Sequence, residues 1–129
     1  MKQYKLYLDD VRTPNGDWII VRNYDEFVKT IEQYGLENFK LISLDHDLAD
    51  IHYDPATWHE SFEYLEQTGY DCAKWLVRHA IEYDTDLPQI YVHSSNPVGS
   101  VNIMNYINNY LKSIGQLPTC IRFKPNYHW

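Results

Sequence analysis

The sequence predicts an α/β domain with a mainly parallel sheet. Short apolar runs of strand length alternate with stretches of helical period, the pattern of strand–crossover–strand units. Almost every apolar run is followed directly by polar, titratable residues. Glycine, proline and asparagine punctuate the boundaries, and no repeat or low-complexity tract interrupts the 129 residues, so one domain, 1–129, is expected.

KLYLD, residues 5–9, is the first strand, and DVRTPNGD, 10–17, is a loop around Pro14 and Asn15-Gly16. WIIVR, 18–22, is the second strand. Asn23 with Glu26 three residues on forms a capping-box pattern, and the helix behind it places Phe27, Val28, Ile31 and Tyr34 on one stripe before Gly35 stops it. FKLISLD, 39–45, is the third strand. Residues 48–68 mix aromatics, acids and histidines around a proline and read as an excursion from the fold, with a helical turn near 58–66. GYDCAKWLVRHAIEYD, 69–84, is an amphipathic helix with Cys72, Trp75, Leu76, His79 and Ala80 inward. PQIYVHS, 88–94, is the fourth strand. Asn96 caps a helix that begins at Pro97 and runs to about Ser113, burying Val101, Met104, Ile107 and Leu111, with Gly115 at its end. TCIRFKP, 119–125, is the last strand.

Composition narrows the function. The net charge of −7 repels a phosphate backbone, so broad nucleic-acid binding is not expected. A small phosphate remains compatible, because a bound cation inverts the local field. There is no apolar run long enough for a membrane span, and MKQYKLYLDD is unlike a signal peptide. Cys72 and Cys120 lack metal-type spacing and read as buried free thiols, which points to a cytoplasmic setting. Oligomeric state is left open.

Right-handed crossovers bring the C-terminal ends of parallel strands to one edge, where open α/β sheets bind ligands. Asp9, Asp10 and Arg12 follow the first strand; Asp45, His46 and Asp47 follow the third; His93, Ser94 and Asn96 follow the fourth; Lys124-Pro125 follows the last. Several carboxylates in one cleft repel one another by an amount of the order of several kcal/mol per pair. Either some protonate or a divalent cation joins them, and oxygen donors suit Mg²⁺ or Mn²⁺. If the third strand continues through the acids, Asp45 and Asp47 share a face and His46 points away.

This arrangement resembles the receiver domains of response regulators, with their acidic pair, central aspartate and terminal Lys-Pro. Asp9, Asp10, Asp45, Lys124 and Pro125 stand at the matching positions, while His93 stands where receivers have a hydroxyl, and Ser94 replaces it only by a shift of one residue. LYLDDVRTP (6–14), ISLDHDL (42–48), TGYDCAKWL (68–76) and HSSNPVG (93–99) together look similar to the cyclic-phosphate processing branch of receiver-like domains. The resemblance implies a receiver-like (flavodoxin-like) three-layer domain with five strands, its first helix reduced to the loop 10–17 and its last helix absent. It also implies a metal-dependent phosphoesterase-like role on a cyclic nucleotide or other cyclic or terminal phosphate.

In that role Asp9, Asp10, Asp45 and Asp47 would hold Mg²⁺ or Mn²⁺, and His93 or His46 would protonate the leaving oxygen beside Asp45. Arg12 and Lys124 would clamp phosphate oxygens, with Ser94 and Asn96 lining the site at a helix start. The insert 50–67 is a candidate lid, with Tyr53, Trp58 and Phe62 available to stack on a base. Two other classes fit the same residues: a non-catalytic cyclic-nucleotide binder and a receiver-like adaptor for a partner protein.

Overall fold

The structure, a computed structural model, describes residues 2–48, 67–123 and 127–128. The expected lid and its helical turn therefore lie outside the described residues, as do Lys124 and Pro125.

Five parallel strands form the sheet: β1 (Tyr4–Leu8), β3 (Ile19–Val21), β4 (Phe39–Leu44), β5 (Gln89–Val92) and β6 (Ile121–Arg122), ordered β3-β1-β4-β5-β6. A separate antiparallel pair joins β2 (Thr13–Pro14) to β7 (Tyr127–His128). The helices are α1 (Tyr24–Tyr34), α2 (Gly69–Glu82) and α3 (Pro97–Ser113), with a 3₁₀ turn at Leu36–Asn38. This is the α/β receiver-like, flavodoxin-like strand order. The chain leaves β1 for β3 on one side and β4 on the other, so the switch point falls between the C-terminal ends of β1 and β4.

α2 lies between α1 and α3, and one core unites the three helices with the sheet. Leu6, Leu8, Ile42, Leu44, Ile90 and Val92 alternate into that core, as a half-buried pleat requires. The intervening residues Tyr7, Ser43 and Tyr91 are register partners across β1, β4 and β5 and share the opposite face. There the Tyr7 ring meets Trp18 edge-on at 5.4 Å, and Lys5 sits over Trp18.

The helix ends follow the sequence signals with two differences. Asn23 Oδ1 accepts the Glu26 N–H at 2.9 Å, but Glu26 reaches back to the Arg22 N–H instead of completing a box at Asn23. The complete box belongs to α2, where Thr68 and Asp71 bond each other's backbone N–H groups. Gly35 adopts φ +86°, the left-handed region that ends α1.

Val101 was expected in the core and is 48% exposed. The buried stripe of α3 runs instead through Gly99, Ser100, Ile103, Ile107 and Leu111, with Met104 at its margin. The close approach of Gly99 to His46, and the Ser100 hydroxyl bond to the Ser94 carbonyl, fix that rotation of the helix. Of the last strand expected over 119–125, the described residues form β6 at Ile121–Arg122 only, an edge strand whose Ile121, Arg122 and Phe123 stay exposed. Cys72 and Cys120 are free and buried; burial pushes the Cys120 thiol up to about 12 and the Cys72 thiol up as well. No described helix is long and apolar enough to cross a membrane.

Candidate functional site

Asp9, Asp45 and His93 stand two residues beyond the register row Tyr7–Ser43–Tyr91. The backbone ladder continues far enough to carry them: Asp9 N–H bonds Val21 O, Asp45 N–H bonds Leu8 O, and His93 N–H bonds Leu44 O, at 3.0–3.1 Å. Register partners two residues apart keep the same face, so these three side chains meet at the C-terminal edge of β1, β4 and β5. All three are buried: Asp9 and His93 fully, Asp45 to 4% exposure.

Each acid is held differently. Asp9 Oδ1 accepts the N–H groups of Val11 and Arg12, while Oδ2 lies 3.2 Å from His93 Nε2 and 3.7 Å from Arg12 Nε. Burial works to raise its pKa, but the His93 bond and the two backbone bonds outweigh it, so Asp9 ends below the usual carboxylate value. Asp45 ends on the other side. Burial and the nearby Asp9 charge push it up to about 6, against the opposing pull of the nearby Ser94 hydroxyl and the His46 N–H bond.

Both nitrogens of His93 are engaged, Nδ1 with Ser43 Oγ at 2.7 Å and Nε2 with Asp9. Its ring stacks on Tyr7 with centroids 4.2 Å apart and planes 8° apart. Burial lowers the His93 pKa more than the Asp9 carboxylate raises it, so the ring is neutral at pH 7.

The ligand atoms of Asp9, Asp45 and His93 all lie within 4.8 Å of one another. Donors on opposite sides of one ion, with bonds of about 2.2 Å, are about 4.4 Å apart, so this spread is close to what a single divalent ion needs. The donor chemistry fits as well: two carboxylates, one unneutralised by its surroundings, and an imidazole. Asp10 and Asp47 are outside this group. Asp10 is half-buried on the bend after β1. β4 ends at Leu44, so the condition for Asp45 and Asp47 to share a face is not met; the Asp47 side chain is 53% exposed and accepts bonds from His46 Nδ1 and Asn96 Nδ2.

The other expected residues that are described, His46, Asn96, Ser94 and Arg12, surround this group. His46 packs closely against Gly99: a Cβ there would stand 2.4 Å from His46 Cγ. Asn96 caps α3 through the Gly99 N–H. Ser94 is buried and accepts the Asn96 N–H, with its hydroxyl near Asp45. Arg12 is half-buried, its guanidinium beside Asp9.

Three contributors escaped the sequence reading. Arg22 donates to the Asp9 and Arg12 carbonyls at 3.1 and 2.8 Å and to Thr13 Oγ1 at 3.0 Å, tying down the loop that carries Asp9 and Arg12. It ends the second strand, and the strand-end rule applied to the other strands reaches it too. Ser43, a lone hydroxyl in the apolar run FKLISL, is the signal for a buried partner. Gly69 packs on the Asp45 carbonyl so closely that a Cβ would lie 1.7 Å from it, and its N–H bonds His46 O.

A five-stranded parallel sheet in this order, with acids closing its first and central strands, defines an α/β receiver-like domain. The chain belongs to the family of the cyclic-phosphate processing receiver domain, whose profile matches residues 4–109. No curated protein and no solved structure matches it.

Proposed function

We propose that this domain is a metal-dependent phosphoesterase acting on a cyclic nucleotide or another cyclic or terminal phosphate. The observation that carries the reading is the convergence of Asp9, Asp45 and His93 beneath Arg12, at the ligand-binding edge of a cyclic-phosphate processing fold. Asp9 and Asp45 would hold the ion. A divalent cation there supplies positive charge for phosphoryl oxygens. Arg12 presents a guanidinium at the same place, suited to a phosphate by its fork of donors.

The fully buried His93 is engaged at both nitrogens, which favours His46 as the group that exchanges a proton with the leaving oxygen. Its Nδ1 bonds Asp47, and Asp47 is in turn held by Asn96. A carboxylate at Nδ1 fixes the ring and its tautomer and leaves Nε2 for proton transfer, the logic of an oriented acid–base histidine. Asp47 thus serves as the orienting group, with its chance of completing the metal shell secondary.

The test is a screen of cyclic mono- and oligonucleotides and 2′,3′-cyclic phosphate ends, with Mg²⁺ or Mn²⁺ and with chelator. Turnover that needs metal and disappears in Asp45→Asn supports the proposal. Tight binding with intact ligand recovered, or no interaction at all, overturns it. The buried Ser94 hydroxyl near Asp45 favours a second reading, in which Asp45 accepts a phosphoryl group beside a hydroxyl; an aspartyl-phosphate formed from acetyl phosphate would select that reading.

A further inference from the structure

We propose that His93 is itself a metal ligand through Nε2, that Ser43 is the positioning residue that permits it, and that the site therefore prefers a borderline transition ion such as Zn²⁺ to Mg²⁺. The inference rests on the reading of Asp9 and Asp45 as a metal site.

The hydrogen bonds define the starting tautomer. Asp9 Oδ1 accepts the N–H groups of Val11 and Arg12, and a carboxylate so engaged offers Oδ2 as an acceptor, so the proton in the 3.2 Å contact sits on His93 Nε2. A neutral imidazole has one N–H, so in this fully buried ring Nδ1 is then an acceptor, and the 2.7 Å contact is a Ser43 O–H donating to it. In this state the ring's free electron pair faces Ser43, away from the acids.

A metal ligand needs that pair at Nε2. The ring remains neutral if Nε2 gives up its proton and Nδ1 takes one from solvent, with no net release. Nδ1–H must then donate, and the only group bonded to Nδ1 among the described residues is Ser43 Oγ. A hydroxyl alone can make this exchange, because it is both donor and acceptor. A carboxylate or carbonyl would fix Nδ1–H permanently, and an alkyl group would leave a fully buried N–H unpaired. The same ring stacks on Tyr7, which holds its plane while the proton changes sides.

The consequence for selectivity follows from the donor set. Carboxylates alone favour Mg²⁺, Ca²⁺ and Mn²⁺, whereas an imidazole nitrogen favours Zn²⁺ and its neighbours. A partner hydrogen-bonded to the far nitrogen of a ligating histidine typically accounts for about 10- to 100-fold in affinity.

The experiment uses the whole chain, with ¹⁵N-labelled histidine and long-range ¹H–¹⁵N spectra, together with calorimetric titration of Zn²⁺ and Mg²⁺. Chelated protein should show His93 protonated at Nε2; Zn²⁺ should move the proton to Nδ1. Ser43→Ala should weaken Zn²⁺ by about 10- to 100-fold while moving Mg²⁺ little, and Ser43→Thr should restore most of the Zn²⁺ affinity. A merely structural Ser43 would weaken both ions alike, and that result overturns the proposal. Zn²⁺ bound with His93 still protonated at Nε2 overturns it too, leaving the carboxylate metal site standing. Absence of any metal binding to the unaltered chain sinks both readings together. The spectra of the unaltered chain decide the matter even where Ser43→Ala fails to fold.

Discussion

Asp9 Oδ2 and His93 Nε2 stand 3.2 Å apart in a pair with no exposure at all, joining residues 84 positions distant in the chain. Each depends on the other. Asp9 stays ionised largely because His93 and two backbone N–H groups serve it, and His93 stays satisfied because Asp9 accepts its proton. Asp9→Ala leaves the His93 N–H buried without that acceptor, a loss of about 1–3 kcal/mol. Asp9→Asn keeps an acceptor oxygen and loses the charge. Denaturant unfolding should therefore rank Ala well below Asn, while calorimetry should find metal affinity lost in both. Equal stability for the two substitutions would contradict the pairing.

Asp45 makes the metal-free protein depend on pH in an unusual direction. Its folded value of about 6 lies above the ordinary carboxylate value, so the folded state holds this proton more tightly than the unfolded chain does. The Asp45 contribution is favourable at low pH and is lost as pH rises from about 4 to about 6, leaving a penalty of about 3 kcal/mol at neutrality. Asp45→Asn removes that penalty. In chelator, the melting-temperature gain of Asp45→Asn over the unaltered chain should be near zero at pH 4 and roughly 10 °C at pH 7. His93, lowered by burial, acts the opposite way over part of this range but is common to both proteins and cancels in the difference.

A divalent ion relieves the same repulsion. Because it binds the folded state in preference to the unfolded one, millimolar Mg²⁺, Mn²⁺ or Ca²⁺ should raise the melting temperature at pH 7, and chelator should reverse it. Asp45→Asn should abolish the rise. No shift with any of these ions or with Zn²⁺ would count decisively against a metal site.

Arg22 braces the loop after β1 through three hydrogen bonds. Lysine keeps the charge but not the planar fork, so Arg22→Lys should restore little. Arg22→Ala is expected to lower stability by about 1–3 kcal/mol, since a charged donor and its acceptors are lost. It should also weaken metal binding about 10-fold by loosening Asp9. Denaturation and titration on the same samples test both effects; a stability loss with unaltered metal affinity would confine Arg22 to the fold.

Gly69 and Gly99 separate a rigid contact from a yielding one. A Cβ at Gly69 meets the Asp45 backbone carbonyl, so Gly69→Ala must displace the strand end itself and should cost upwards of about 3 kcal/mol. A Cβ at Gly99 meets the His46 ring, which can swing aside at about 1–2 kcal/mol. Gly99→Ala should keep metal binding near that of the unaltered chain and impair any turnover that relies on His46.

Much of this was legible in the residues. Alternating strand and helix patterns, the Asn96-Pro97 cap and the polar strand ends determined the α/β class and the edge where the site would form. Local chemistry suffices for that, because periodicity and capping act over a few residues. The same information could not choose among Asp9, Asp10, Asp45, Asp47, His46 and His93. That choice came from cross-strand register: it sets Asp9, Asp45 and His93 side by side, while the early end of β4 turns Asp47 outward to His46 and Asn96. The sequence by itself determined that titratable groups gather at one sheet edge; only the tertiary structure decided which of them meet, because a one-residue difference in strand length or register reverses where a side chain points.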